Sequence, residues 1–308
     1  MTRYAVLAAV AVVAAGCGAA TKKVPPRTAG TRTASNSLLQ GRTGLKVARI
    51  GSLPQALSKA AAVALPGGRM MLLGGYTGSG SLDTILAGPP GGLRVVGHLP
   101  QPTHDAAAAL VDGSVYLFGG GESVSVPSVV RVDPRTGSTV EAPALGEPLS
   151  DLGAVANGRG TYLVGGYTGA EFASAILRYR PHGAATTVAR LPTGTRYAGV
   201  AALGGTIYVA GGLTTGGATR AVYAVTPGGK VRRVARLPAP EDHAALAALG
   251  DVLYLVGGRR VLAIDPGSGR VSVAARLPAS LADPTATTVG SRIVVTGGGT
   301  NGIWSLTR

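Results

Sequence analysis

Six glycine pairs at near-constant spacing, a second marker in phase with them and short alternating apolar runs predict an all-β fold, a six-bladed β-propeller of four-stranded antiparallel blades. The pairs are Gly74-Gly75, Gly119-Gly120, Gly165-Gly166, Gly211-Gly212, Gly257-Gly258 and Gly297-Gly298, at intervals of 45, 46, 46, 46 and 40 residues. The second marker is Leu-Pro at Leu53, Leu99, Leu191, Leu237 and Leu277, with Leu145 in the remaining place. Each Leu precedes its diglycine by 20 residues, or 21 for the first. Composition agrees: of 308 residues 45% are apolar, 49 are Gly and only 4% are aromatic, which calls for a core of Ala, Val and Leu between tight turns. The glycines follow no triplet period, which excludes collagen, and a mean hydropathy of +0.29 is too apolar for solvated disorder.

In chain order, Arg3 is followed by uncharged small or apolar residues over 4–16 and then by Cys17. A charged start, a short apolar stretch and a small-residue exit make a secretory signal peptide over 1–16. The stretch falls short of the roughly 20 apolar residues that span a bilayer. Val13-Ala14-Ala15-Gly16-Cys17 resembles a bacterial lipobox, which implies cleavage before Cys17 and lipidation of that residue. Cys17 is also the only cysteine, so no disulfide framework or cysteine metal cluster is available. Residues 17–37, rich in Thr, Ser, Pro and Gly with Lys22, Lys23, Arg27 and Arg32, form a basic tether. Up to residue 82 there are ten Lys or Arg and no acid, so the net charge of +15 falls to +5 for 83–308. No nucleic-acid-binding motif accompanies that charge, and no nucleic-acid partner is expected. The expected location is the outer face of the cell membrane, with the protein a monomer held by its N-terminal lipid, or secreted where Cys17 is not lipidated.

The propeller is assigned to 38–308. Residues 45–50 have the pattern of a strand d with no preceding a, b or c. In the third unit, 154–156 lie in strand a, 161–164 in b, 176–180 in c and 186–189 in d. The diglycine ends strand b, where a positive φ or a close neighbouring backbone excludes a Cβ. In the fifth unit almost no loop separates b from c. The sixth has a, b and c but no room for d, so pairing 45–50 with the last strand c closes the ring and removes its open edges.

These units resemble the kelch repeat, a hydrophobic strand ending in a diglycine with an aromatic before it and a later Asp-Pro turn. Tyr116, Tyr162, Tyr208 and Tyr254 each stand three residues before a diglycine, and Asp133-Pro134 and Asp265-Pro266 match the turn. The resemblance covers 45–308. Met71 and Val294 replace the tyrosine in the end units, and the usual strand d Trp is absent, the lone Trp304 lying in the last strand c.

In such a blade the d-to-a and b-to-c connections gather on one face around the channel. The d-to-a connections carry His104, Asp105, Asp151, Arg196, Tyr197, Glu241, Asp242, His243 and Asp283. Asp105, Asp151, Tyr197 and His243 follow one another at intervals of 46 and project equivalently toward the channel mouth. Five acids at one rim, with Arg, Tyr and His donors, suit a sugar, an amine or a cation. The same residues also serve as ordinary turn formers. No metal spacing is present, and no cofactor is expected. Galactose oxidase shares the kelch fold, but its cofactor needs a cysteine crosslinked to tyrosine, which this domain lacks. No Ser-His-Asp or P-loop signature occurs, and Gly-rich runs such as 74–78 end strands and open no helices. The expectation is a cell-surface binding module for a carbohydrate-like ligand or an envelope protein. The alternative is an isomerase or lyase of the kind represented by sialic acid epimerases, also six-bladed kelch proteins.

Overall fold

The computed structural model describes residues 43–158 and 160–308. Blade 1 is built from Ala61–Leu65, Arg69–Leu73, Leu82–Gly88 and Arg94–Thr103, running from the channel outward as strands a, b, c and d. Blade 2 is Ala107–Val111, Ser114–Phe118, Val129–Val132 and Thr139–Ala142. Blade 3 is Gly153–Asn157, Gly160–Val164, Ala175–Arg180 and Gly183–Arg190, and blade 4 is Gly199–Leu203, Thr206–Ala210, Ala221–Val225 and Val231–Arg236. In blade 5, Ala245–Leu249 and Arg270–Leu281 flank Val252–Asp265, one uninterrupted segment that supplies both b and c. Blade 6 is Pro284–Val289, Arg292–Gly297 and Thr300–Thr307, completed by the N-terminal Lys46–Leu57. Lys46 faces Thr307, Ala48 faces Ser305 and Arg49 faces Trp304 in an antiparallel ladder, so the ring closes as the sequence predicts.

Alternation along each strand leaves both faces of a blade apolar, and each face meets the next blade. Six buried clusters result among the described residues, one at every blade boundary. The boundary of blades 2 and 3 stacks Tyr116, Phe118 and Tyr179, the last two edge to face at 4.9 Å between centroids. At the boundary of blades 5 and 6, Tyr254 packs with Val295 and Trp304. Tyr162 joins the boundary of blades 3 and 4, and mostly Leu, Val, Ile and Ala fill the remaining gaps, so the low aromatic content is met by close aliphatic packing.

The diglycines carry the architecture to the channel mouth. Gly74, Gly119, Gly165 and Gly211 have φ of 58 to 65°, and a Cβ at any of them would lie 2.0 to 2.4 Å from the carbonyl oxygen of Thr103, Leu149, Thr195 or Glu241 respectively. The second glycine of each pair donates its N–H to that same carbonyl at 2.8 to 2.9 Å. The pair therefore clamps the outgoing end of strand d onto strand b, just before the chain turns into the next blade. Blades 5 and 6 modify this clamp: Gly257 has no positive φ, and Gly299 N–H donates to Leu57 C=O at 2.9 Å.

Candidate functional site

Two residues beyond each clamp, the chain turns through a left-handed residue: Lys59, Asp105, Asp151, Tyr197, His243 and Asp283, with φ of 52 to 57°. Left-handed backbone is costly for side chains as large as Lys, Tyr and His, so something must hold it. A run of five main-chain hydrogen bonds does, linking every neighbouring pair of these turns except Tyr197 and His243. Asp105 N–H donates to Lys59 C=O at 3.0 Å, Asp151 to Asp105 at 2.8 Å, Tyr197 to Asp151 at 3.0 Å, Asp283 to His243 at 3.2 Å and Lys59 to Asp283 at 3.1 Å. All six side chains line the neck of the channel, around a void of about 110 Å³.

Three clusters form on these turns. Lys59 Nζ donates to Asp105 Oδ2 at 2.9 Å, and His104 Nε2 lies 3.5 Å from the same oxygen. His104 Nδ1 meets Ser81 Oγ at 2.8 Å, and the ring tilts against Tyr76. In the second cluster Arg196 Nη2 pairs with Asp151 Oδ2 and donates to Tyr197 Oη at 2.7 Å, while Ser150 Oγ donates to Asp151 at 3.1 Å. The Arg196 guanidinium is enclosed by the rings of Tyr197, Tyr167 and Phe172, 4.4, 4.7 and 5.4 Å from their centroids. In the third, His243 Nδ1 hydrogen-bonds Asp283 Oδ1, and its ring stacks on Tyr197.

Burial and mutual charge set the ionisation of these groups. Burial, then the neighbouring Asp105 charge, pushes the Asp151 carboxyl up to about 6, against the opposing pull of Arg196. Burial likewise raises Asp105 despite its hydrogen bond from Lys59. Burial opposes the Lys59 ammonium, but Asp105, with Asp283 and Asp151 behind it, outweighs that and raises its pKa. The hydrogen bond to Asp283 raises His243, whereas burial followed by the Lys59 charge lowers His104. Burial and the two carboxylates hold the Tyr197 hydroxyl protonated.

Above the neck lies a cavity of about 640 Å³, off-centre toward blades 2 to 4. Its floor is Lys59, Asp105, Asp151 and Tyr197, and its walls include the b-to-c loops of blades 2 and 3, with Glu122, Ser125 and Tyr167. Of the residues singled out in the sequence, His104, Asp105, Asp151, Arg196 and Tyr197 meet in this cavity. His243 and Asp283 line the neck only. Glu241 lines neither space and pairs with Arg260 at 2.9 Å, and Asp242, which adds its charge to His243, also lies outside both. Lys59 was legible but not singled out, since it precedes Asp105 by the same 46 residues. Tyr167 follows a diglycine in a Gly-Gly-Tyr-Thr-Gly run shared with 74–78, which does more than end a strand. Cys17 lies outside the described residues.

Fold and mouth together define a six-bladed β-propeller with a polar cavity on its loop face. Among solved structures, one titled "Structure of YjhT" is similar with a TM-score of 0.72 and 15% sequence identity, covering 83% of this chain and 95% of that one. The likeness is one of fold. No protein-family model and no curated protein matches the chain.

Proposed function

We propose that this chain is an exported, lipid-anchored binding module of kelch type whose rim cavity holds a carbohydrate-like ligand. The observation that carries the reading is the cavity of about 640 Å³, into which successive d-to-a turns, linked through their main chain, project polar groups. Its size suits a small ligand, and its convergent Lys, Arg, His, Tyr and Ser side chains suit one rich in oxygen. Envelope proteins are the other expected class of partner, docking on the loop face. In this reading the protein is a monomer, and its partners do not include nucleic acid.

The supporting experiment is a thermal-shift screen against neutral, acidic and amino sugars and divalent cations. A ligand at 100 times its Kd stabilises the fold by about 2.7 kcal/mol. A shift that disappears in Asp151→Ala supports the cavity, and no shift with any compound turns the search to protein partners. Anchoring is tested separately: Cys17→Ala releases the protein from the membrane fraction if Cys17 carries the lipid.

A second reading, an isomerase or lyase, draws on Asp151, a buried carboxyl at about 6 beside Arg196. Such a group exchanges protons near neutral pH. Turnover of a bound sugar, lost in Asp151→Asn with binding retained, would separate an enzyme from a binding module.

A further inference from the structure

The acids that led the sequence toward amine or cation ligands are not the groups this cavity presents. Asp151 has a side chain only 1% exposed and accepts from Arg196 and Ser150. The side chain of Asp105 is 10% exposed and is occupied by Lys59, with His104 alongside. The cations stand in front of them: Lys59 is 23% exposed and Arg196 21%. An ammonium carries three donors and a guanidinium five. Asp105 takes one from Lys59, and Asp151 and Tyr197 share Arg196 Nη2, so Arg196 Nη1 and two Lys59 N–H groups have no hydrogen-bond partner among the described residues. Both cations lie near one ring, 5.6 and 4.4 Å from the Tyr197 centroid, and both line the cavity. Glu122, the remaining acid in the lining, is exposed at the lip and screened by solvent.

We propose that the cavity seats an oxyanion of its ligand, a carboxylate or phosphate group, on Lys59 and Arg196. Asp105 and Asp151 are positioning residues that hold the two cations from behind. This inference deepens the binding-module reading and rests on it. It reverses the ligand polarity that the residue types alone suggest, because burial takes the carboxylates out of play and leaves donors at the surface.

The test is calorimetric titration of the full-length protein with glucuronate, glucose, glucosamine and inorganic phosphate. Glucuronate and glucose differ by a carboxylate in place of a hydroxymethyl group, and phosphate distinguishes a free anion from an acidic sugar. The expected result is that glucuronate or phosphate binds at least about tenfold more tightly than glucose, as charge-assisted hydrogen bonds require. Lys59→Met and Arg196→Lys should each weaken that binding by about 10- to 100-fold. Arg196→Lys keeps a cation beside Asp151, so it loses the guanidinium geometry without stranding the buried acid. Glucose or glucosamine binding as tightly as the anions, or anion binding unchanged in both variants, would overturn the oxyanion seat and leave the carbohydrate reading standing. If none of the four probes binds, both fall.

Discussion

Lys59 and Asp105 hold the same position in consecutive blades, 46 residues apart, and their side chains close an ion pair of 2.9 Å across the blade boundary. Asp105 is nearly buried, so the pair matters chiefly through what is left when it is broken. Lys59→Met should lower stability by about 1 to 3 kcal/mol, and Lys59→Met with Asp105→Asn should recover much of the loss. Urea denaturation of the two single variants and the double variant measures the coupling. A double variant as unstable as the sum of the singles would show that the two side chains do not interact.

Asp151 gives a pH dependence whose sign follows from its raised pKa. The folded protein retains a proton that the unfolded chain, with an ordinary value of 3.8, has already released. Its contribution therefore favours the fold below about pH 4, falls as pH rises toward about 6, and is level above that. The amplitude is roughly 2 to 3 kcal/mol at most. Asp151→Asn should flatten the stability curve across that window when the two proteins are compared by denaturation at matched pH.

For His243 the window is higher. Its hydrogen bond to Asp283 raises the imidazolium above the usual 6.5, so the added stability is complete below pH 6.5 and fades as pH climbs through the folded value. Asp283→Asn should move the His243 ring resonances, followed by NMR, to a lower titration midpoint. It should also remove the loss of stability above pH 6.5. An unchanged midpoint would mean that the contact does not carry the shift.

Two glycine substitutions separate conformational strain from collision. Gly204 has φ of 57° and open space where a Cβ would go, so Gly204→Ala should cost about 1 kcal/mol. Gly165 has φ of 62° and a Cβ site 2.2 Å from Thr195 C=O, so Gly165→Ala should cost about 3 kcal/mol or more. Because Thr195 precedes Arg196, the latter variant should also weaken ligand binding. Melting temperatures and titrations of the pair decide whether the clamp positions the site.

Closure offers a fifth test. Removing residues 1–50 takes away the rungs from Lys46 to Arg49 against Thr307 to Trp304, whereas removing 1–37 spares them. The longer deletion should melt well below the shorter one. Equal melting temperatures would contradict a ring held by its first strand.

The architecture was legible because one marker, the diglycine, reports backbone geometry that a Cβ would disrupt, and the other, the Leu, is buried in every blade. The diglycine ends strand b under a carbonyl that excludes a Cβ, and that exclusion recurs wherever the clamp recurs. The strand boundaries assigned to the third unit fall within Gly153–Asn157, Gly160–Val164, Ala175–Arg180 and Gly183–Arg190. The site was only half legible. Period 46 places Asp105, Asp151, Tyr197 and His243 in equivalent turns, yet says nothing of which neighbour each side chain meets. Lys59 joins that register from the preceding turn and binds Asp105, a contact between blades that sequence spacing does not rank. Glu241 and Asp242 stand beside the register, and Glu241 turns to Arg260. The off-centre cavity is walled by the b-to-c loops of blades 2 and 3, and strand spacing does not show which loops lean over the channel mouth.

The main-chain links around the neck have a consequence for how this molecule could be altered. Its links run between peptide groups, so the backbone path is the same whether the turn carries Lys, Asp, Tyr or His. Side-chain chemistry at these six places can thereby change without changing the backbone path, whatever stability pairs such as Lys59–Asp105 add. The mouth is in effect a set of six slots, one per blade, whose contents can be rewritten in matched pairs to change what is recognised while the backbone path stays the same.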